Sequence, residues 1–318
     1  MHAIVVTENG NPSVLRWVER DDPKPGPEQI AIHTTFTSVN YADTMMRQGG
    51  AKPPYIPGLD CVGTVVAVGA NVRKFSVGQR VAAFADGGSY AEIALAKESL
   101  AFAVPEGAKD ESVSSILVLV TALNLVQLAG RLTEGESILI HSAAGGVGST
   151  AIQFARAFGA KKIFGTVSDP AKKAFAKDCG ADEVFDSHDF VTATREATGG
   201  KGVDLILDST AGGVFTSSLE VLAPFGRIVV YGQASGTPGT ARTDQLVGTD
   251  RSVIGYSSGH YRGNRPEVIR HAGEQALAMA AEGKVQLKAG ARYPLRDAAA
   301  AHELIESRRS CGKILLIP

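Results

Sequence analysis

Ser137-Ile138-Leu139-Ile140-His141-Ser142-Ala143-Ala144-Gly145-Gly146-Val147-Gly148 is the stretch on which the fold turns: an apolar strand, a glycine-rich turn, then the opening of a helix. The helix is legible because Val147, Ala151, Phe154, Ala155 and Phe158 recur on one face at helical spacing. Strand, turn and helix in this order build a phosphate cradle. Small residues let the backbone approach a pyrophosphate, and the unpaired N–H groups at the helix start face its charge with a favourable dipole. Ala143 stands where the G-x-G-x-x-G fingerprint has its first glycine, so the turn alone is also compatible with tight packing and no ligand.

The surroundings favour the nucleotide. Residues 138–141, 163–167, 203–207 and 228–231 are near-continuous apolar runs separated by helical segments, the rhythm of parallel strands joined by crossover helices. Upstream, to about residue 110, the chain changes character. Runs at 30–36, 61–68, 80–84 and 90–95 are short β-type segments between Pro and Gly punctuation, with one helix expected over 41–48 before Gly49-Gly50 and Pro53-Pro54. Beyond about residue 260 the alternation stops. Helices over 266–282 and 298–306 and a strand over 313–317 form a tail that either extends the second domain or returns to the first. With 318 residues, two domains are expected, because a single hydrophobic core stops growing near this size.

Thirty-two basic against 33 acidic residues leave a net charge of −1, which offers no broad field for nucleic acid or an anionic membrane surface. Cys61, Cys179 and Cys311 are too scattered for a disulfide framework or a zinc knuckle and fit a reducing, cytoplasmic setting. The opening Met1-His2-Ala3-Ile4-Val5-Val6 is too short and uncharged to read as a secretory signal. The longest apolar stretch, 116–129, falls short of a bilayer span and reads as a buried helix.

The strand after the cradle helix ends Gly165-Thr166-Val167-Ser168-Asp169-Pro170, with Lys172 one turn on. NAD-specific sites place a carboxylate at that strand end for the ribose hydroxyls. Val167 cannot accept those bonds, whereas Ser168 and Lys172 can donate to a 2′-phosphate, so NADPH is the expected cofactor. Asp169 is the adjacent feature that counts against it.

These residues resemble the medium-chain dehydrogenase/reductase superfamily, in its zinc-independent quinone oxidoreductase (zeta-crystallin-like) branch. The resemblance runs nearly end to end, through Ser38-Val39-Asn40-Tyr41-Ala42-Asp43, Pro57-Gly58-Leu59-Asp60, Gly63-Thr64-Val65-Val66-Ala67-Val68-Gly69, Gly78-Gln79-Arg80-Val81, the cradle, Gly165-Thr166-Val167 and Gly312-Lys313-Ile314-Leu315-Leu316. It implies an α/β protein with a GroES-like β-rich catalytic domain over 1–117 and 263–318. A Rossmann NADPH-binding domain over 118–262 is inserted between, with a substrate cleft separating the two and a homodimer joined through the Rossmann sheets.

Zinc-dependent relatives place a cysteine ligand where this chain has Asn40 and a histidine where it has Leu59, and they carry a four-cysteine lobe shortly after the region of Phe84. The absence of these ligands implies no metal. By the same resemblance, Asn40, Asp43 and Thr121 lie near the nicotinamide. Ala144, Gly145, Gly146, Val147, Ser168 and Lys172 serve the pyrophosphate and 2′-phosphate. Ser209, Tyr231, Gly232, Ser235 and Lys313 line the rest of the cofactor channel. Ser187 belongs to the same set, although some relatives have a tyrosine there.

Without a metal, hydride transfer suits an acceptor that delocalises charge itself, such as a quinone or another conjugated carbonyl. Asn40, with Tyr41 or Thr121, is the candidate for hydrogen bonding at the reacting oxygen. Asn40 as an N-cap and Tyr41 as packing beside the cleft are the competing structural roles. Arg47 is undecided between cleft and surface, and Cys61 reads as a small core residue. Two other functions fit the same fold: an NADPH-dependent reductase of 2-alkenals, enones or enoyl thioesters, and a non-catalytic, crystallin-like NADPH-binding protein.

Overall fold

The computed structural model describes residues Met1–Pro318 as two compact units, Met1–Val120 with His260–Pro318, and Thr121–Gly259. These divisions lie three residues from the 117/118 and 262/263 limits expected from sequence. Neither coincides with a loop: helix α2 (Ile116–Asn124) runs through one and helix α8 (Ser258–Asn264) through the other.

The first unit is a β domain. Its main sheet runs in the order β14 (Ala289–Pro294), β15 (Lys313–Ile317), β3 (Gln29–Val39), β4 (Asp60–Val68), β5 (Arg80–Phe84) and β7 (Ala101–Ala103), with β6 (Ile93–Lys97) also paired to β3. A separate antiparallel pair joins β1 (His2–Val6) to β2 (Leu15–Glu19). The terminal strand β15 lies antiparallel to β3, matching Ile314 with Val39, so the tail completes this unit. Ile30, Ile32, Cys61, Val65, Val81 and Ala83 form one core, and Ile4, Val6, Val39, Tyr90, Leu295 and Leu316 another. Burial pushes the Cys61 thiol up to about 12, which suits the core role and not a nucleophile.

Two local expectations shift here. The strand expected over 90–95 begins at Ile93, because Tyr90 and Ala91 turn to bridge β1 through Ala3. The helix expected over 41–48 is α1 (Tyr41–Met45) followed by a π-helical turn at Met46–Gly50, where Gly49 adopts a φ of 137°. Arg47 is fully buried in that turn. It donates to Gly10 O at 2.7 Å and pairs with Glu306, which ends α10 (Ala298–Glu306), so it is a structural cation.

The second unit is a six-stranded parallel sheet in the order β10 (Glu183–Asp186), β9 (Lys162–Val167), β8 (Ser137–Ile140), β11 (Val203–Asp208), β12 (Leu222–Val230) and β13 (Ser252–Gly255). This is the doubly wound Rossmann order, in which the strand sequence reverses between β8 and β11 and opens a ligand crevice at their carboxyl ends. Helices α3 (Gly146–Ala157), α4 (Lys173–Asp178), α5 (Phe190–Ala197), α6 (Gly212–Ser218) and α7 (Thr243–Val247) alternate with the strands. No helix, including α9 (Pro266–Ala281) in the first unit, is long and apolar enough to cross a membrane.

Candidate cofactor and substrate site

The glycine-rich turn lies at the switch point of the parallel sheet. Ser142 leaves β8 with a positive φ of 53°, its carbonyl accepts from Gly145 N at 2.9 Å, and α3 begins at Gly146. Ser149 N donates back to Gly145 O, which leaves the amides of Gly146, Val147 and Gly148 without acceptors in the preceding turn. A Cβ on Gly148 would stand 2.4 Å from Ser142 O, so only glycine fits there.

The departure at Ala143 is absorbed by the next strand. A Cβ at Gly165 would lie 2.6 Å from the Ala143 methyl, so the glycine in β9 makes the room that a glycine in the turn otherwise supplies.

His141, just before the turn, is a core residue. Its ring lies 2.9 Å from Thr166 Oγ1 and 2.8 Å from Ser218 Oγ and packs edge-on against Phe190, tying β9 and α6 beneath the cradle. Burial lowers its pKa to about 4 from 6.5, so the folded protein favours the neutral ring. Stability from this site is therefore complete above pH 6.5 and declines as the pH falls toward 4. Across that window the unfolding free-energy difference between wild type and His141→Gln will shrink on acidification, by on the order of 3 kcal/mol. Urea titrations at several pH values read it, and a difference that stays constant with pH contradicts a buried neutral histidine.

The predicted nucleotide contacts in this unit gather around the switch point. Ser209, after β11, donates its hydroxyl to Ser142 Oγ at 3.2 Å. Tyr231 and Gly232 follow β12, and a Cβ on Gly232 would meet Ser209 O at 2.7 Å, another position kept bare of side chain. Ser235 lies further along this loop, its N–H on Thr210 O and its hydroxyl on Thr237 O. At the end of β9, Ser168 is exposed and Lys172 largely buried, and Asp169 turns its Oδ1 onto the Ala171 N–H as a helix cap. Ser187 follows β10 with its N–H on Val167 O, beside the same strand end. Thr121, in α2, has a buried hydroxyl without a partner. Bare glycine positions, free helix amides and an orphaned buried hydroxyl together fit a dinucleotide.

The first unit contributes a buried polar cluster. Asn40 precedes α1 as its N-cap, and its N–H donates to Asp43 Oδ2 at 2.8 Å. Asp43 is enclosed, its carboxyl also accepting from Tyr90 OH at 3.3 Å, and Tyr90 OH lies 3.1 Å from His302 Nε2. Burial, resisted by the Asn40 N–H and Lys313, raises the Asp43 pKa to about 7. Asp43 thus supports Asn40 from within the domain and presents no surface to a cofactor. Tyr41 is the opposite case, 45% exposed on the first turn of α1.

The residue that sequence reading passed over is Asp60, at the start of β4. Its Oδ1 accepts from Ser38 Oγ at 2.7 Å and Asn40 Nδ2 at 3.1 Å, and its Oδ2 from Ser115 Oγ at 2.7 Å and Leu117 N at 2.9 Å. Lys313, first residue of β15, reaches the same cluster with Nζ 2.5 Å from Asn40 Oδ1. No group of three or more His, Cys, Asp or Glu side chains is placed to hold a metal ion.

A β domain of this kind and a Rossmann domain with a bare-glycine cradle define a nucleotide-dependent oxidoreductase class. The comparisons agree: residues 146–274 match the zinc-binding dehydrogenase family and residues 26–106 the alcohol dehydrogenase GroES-like domain. A quinone oxidoreductase of Pseudomonas aeruginosa is 33% identical, covering 97% of both chains, and a 2-haloacrylate reductase of a Burkholderia species is 33% identical, covering 99% of this chain and 98% of its own. The Escherichia coli quinone oxidoreductase solved in complex with NADPH superposes with a TM-score of 0.92 at 30% identity, covering 100% of both chains. The chain belongs to the zinc-independent quinone oxidoreductase branch of the medium-chain dehydrogenase/reductase superfamily.

Proposed function

We propose that this protein is an NADPH-dependent oxidoreductase that reduces a quinone or similar conjugated carbonyl without a metal ion. The observation that carries the cofactor assignment is the cradle at Ser142–Gly148, whose open amides and excluded side chains suit a pyrophosphate. Ser168 and Lys172, at the end of β9, are the donors for the 2′-phosphate. Ser187, Ser209, Tyr231, Gly232 and Ser235 flank the nucleotide, and Thr121 offers its spare hydroxyl at the nicotinamide end. NADPH, when bound, supplies the hydride.

Metal independence is supported by the donor set. Asn40 and Leu59 stand where zinc-dependent relatives have ligands, and a neutral amide held by Lys313 and Asp60 and an aliphatic side chain are poor donors for zinc. Three free cysteines accord with a cytoplasmic setting. A homodimer through the Rossmann sheet is supported by β13, an edge strand with one neighbour, near which Phe225, Val247 and Val253 are exposed.

Lys172→Ala will raise the Kd for NADPH by about 10- to 100-fold while changing that for NADH less than about twofold, the loss of one or two charge-assisted hydrogen bonds. Fluorescence titration with both nucleotides measures it, and equal weakening of the two removes Lys172 from the phosphate site.

The 2-haloacrylate reductase relative favours a second reading, reduction of an activated C=C bond on the same scaffold. NADPH oxidation measured with a panel of quinones and a panel of enones and 2-alkenals, each with and without chelator, separates the two. Turnover of quinones unaffected by chelator is expected. Turnover of enones alone overturns the quinone assignment, sensitivity to chelator overturns the metal-free one, and binding of NADPH without turnover leaves a non-catalytic, crystallin-like protein.

A further inference from the structure

Ala211, between β11 and α6, has a φ of 60° and a ψ of −156°, a region of backbone space essentially confined to glycine. An alanine stays there only where its surroundings leave it no alternative. Asp208 supplies the hold. At the carboxyl end of β11 and fully buried, its Oδ1 accepts from the Thr210 N–H at 2.7 Å and the Ala211 N–H at 3.0 Å. Its Oδ2 is buried with no partner in the protein. A strained alanine and a half-satisfied buried carboxyl each work against the stability of the fold, so packing alone gives no reason for either.

The turn they form is laced to the next loop. Asp208 O, Ser209 O and Thr210 O accept from the N–H groups of Tyr231, Ala234 and Ser235 at 2.9, 3.0 and 2.9 Å. A Cβ on Gly212 would meet Thr237 Oγ1 at 2.6 Å and Ser235 Oγ at 2.8 Å, so the two loops pack closely. Ser209 reaches Ser142 of the cradle and is half-buried, while Ser142 and Ser235 are exposed, which leaves this side of the crevice open to a ligand. Sheet order places it. The cradle follows β8 and the 2′-phosphate donors follow β9 on one side, so a dinucleotide laid across the switch point carries its other half over β11 and β12.

We propose that Asp208 and Ala211 are positioning residues for the nicotinamide half of NADPH. The Asp208 carboxyl clasps two amides, keeps Ala211 in a glycine-like conformation, and so fixes Ser209 and the 231–235 loop before the cofactor arrives. Binding then spends less on ordering these loops. The assignment rests on the reading of this unit as the NADPH-binding domain.

A double-mutant cycle tests it, with Kd measured calorimetrically on variants shown to fold by circular dichroism. Asp208→Ala should raise the Kd for NADPH by about 10-fold or more. Ala211→Gly alone should leave it within about threefold of wild type, since glycine adopts the conformation unaided. Combined with Asp208→Ala, Ala211→Gly should restore binding to within about threefold of wild type, which a general structural role for Asp208 does not predict. Adenosine 2′,5′-bisphosphate, which ends at the cradle, should bind all four proteins within about twofold, marking the effect as local to β11 and β12. If Asp208→Ala does not fold, Asp208→Ser, whose hydroxyl makes the same turn more weakly, carries the test with a loss of about fivefold. A folded Asp208 variant that binds NADPH like wild type, a loss that Ala211→Gly does not restore, or equal weakening of the bisphosphate overturns the assignment. Wild type that binds no NADPH removes the nucleotide reading itself, and this assignment with it.

Discussion

Replacing Gly148 by valine will abolish measurable NADPH binding. The new Cβ would stand 2.4 Å from Ser142 O and 2.9 Å from Ala143 Cα, both backbone atoms of the turn itself, so no side-chain rotation relieves the clash. The turn must open, and the amides of Gly146 and Val147 swing away from the diphosphate. A loss of at least about 100-fold in affinity, near 2.7 kcal/mol, is expected. Gly213→Ala is the control, because nothing lies within 4 Å of its Cβ position. Titration of both variants with NADPH, beside circular dichroism to confirm folding, measures the effect. Unimpaired binding by a folded Gly148→Val protein would show that the cradle holds something else.

Asp60→Ala will destabilise the β domain by about 3–5 kcal/mol, the range found when one member of a buried charged network is removed. Four donors lose their acceptor together: the hydroxyls of Ser38 and Ser115, the Asn40 amide and the Leu117 N–H. The buried Lys313 ammonium also loses a carboxylate that stabilises its charge. Asp60→Asn keeps two acceptor lone pairs and will cost less than the alanine. Urea unfolding monitored at neutral pH reads both. A loss below about 1 kcal/mol for Asp60→Ala would show that the network relaxes or hydrates freely.

The Rossmann half was legible because its signals are local. A helix N-terminus after a strand is written in consecutive residues, and the runs at 138–141, 163–167 and 203–207 are apolar because both faces of those strands are covered. The strands that escaped notice are the two edges, Glu183–Asp186 and Ser252–Gly255, which are short and only partly buried. Their pairing is decided by neighbours distant in sequence. The π-helical turn after Met45 escaped for a related reason: Arg47 is drawn inward by Glu306, a partner 259 residues away.

The same distinction separates the cradle of the second unit from the polar cluster of the first. Cradle residues could be named one by one, whereas the Asn40–Asp60–Lys313 cluster joins the N-cap of α1 to β4 and β15 through long-range pairing. Asp60 did leave one trace, a carboxylate opening an otherwise apolar strand, which requires buried donors to satisfy it. The engagement of both Asn40 amide N–H bonds left none, since orientation of a side chain is fixed only by its partners.

We propose that the amides opening α3 grip the diphosphate of NADPH and that binding requires no metal ion. Calorimetric titration of the chelator-treated chain tests it most directly. Binding of one NADPH per chain, tighter than NADH, is the expected result. No heat from either nucleotide, or binding that returns only when zinc is restored, would contradict it.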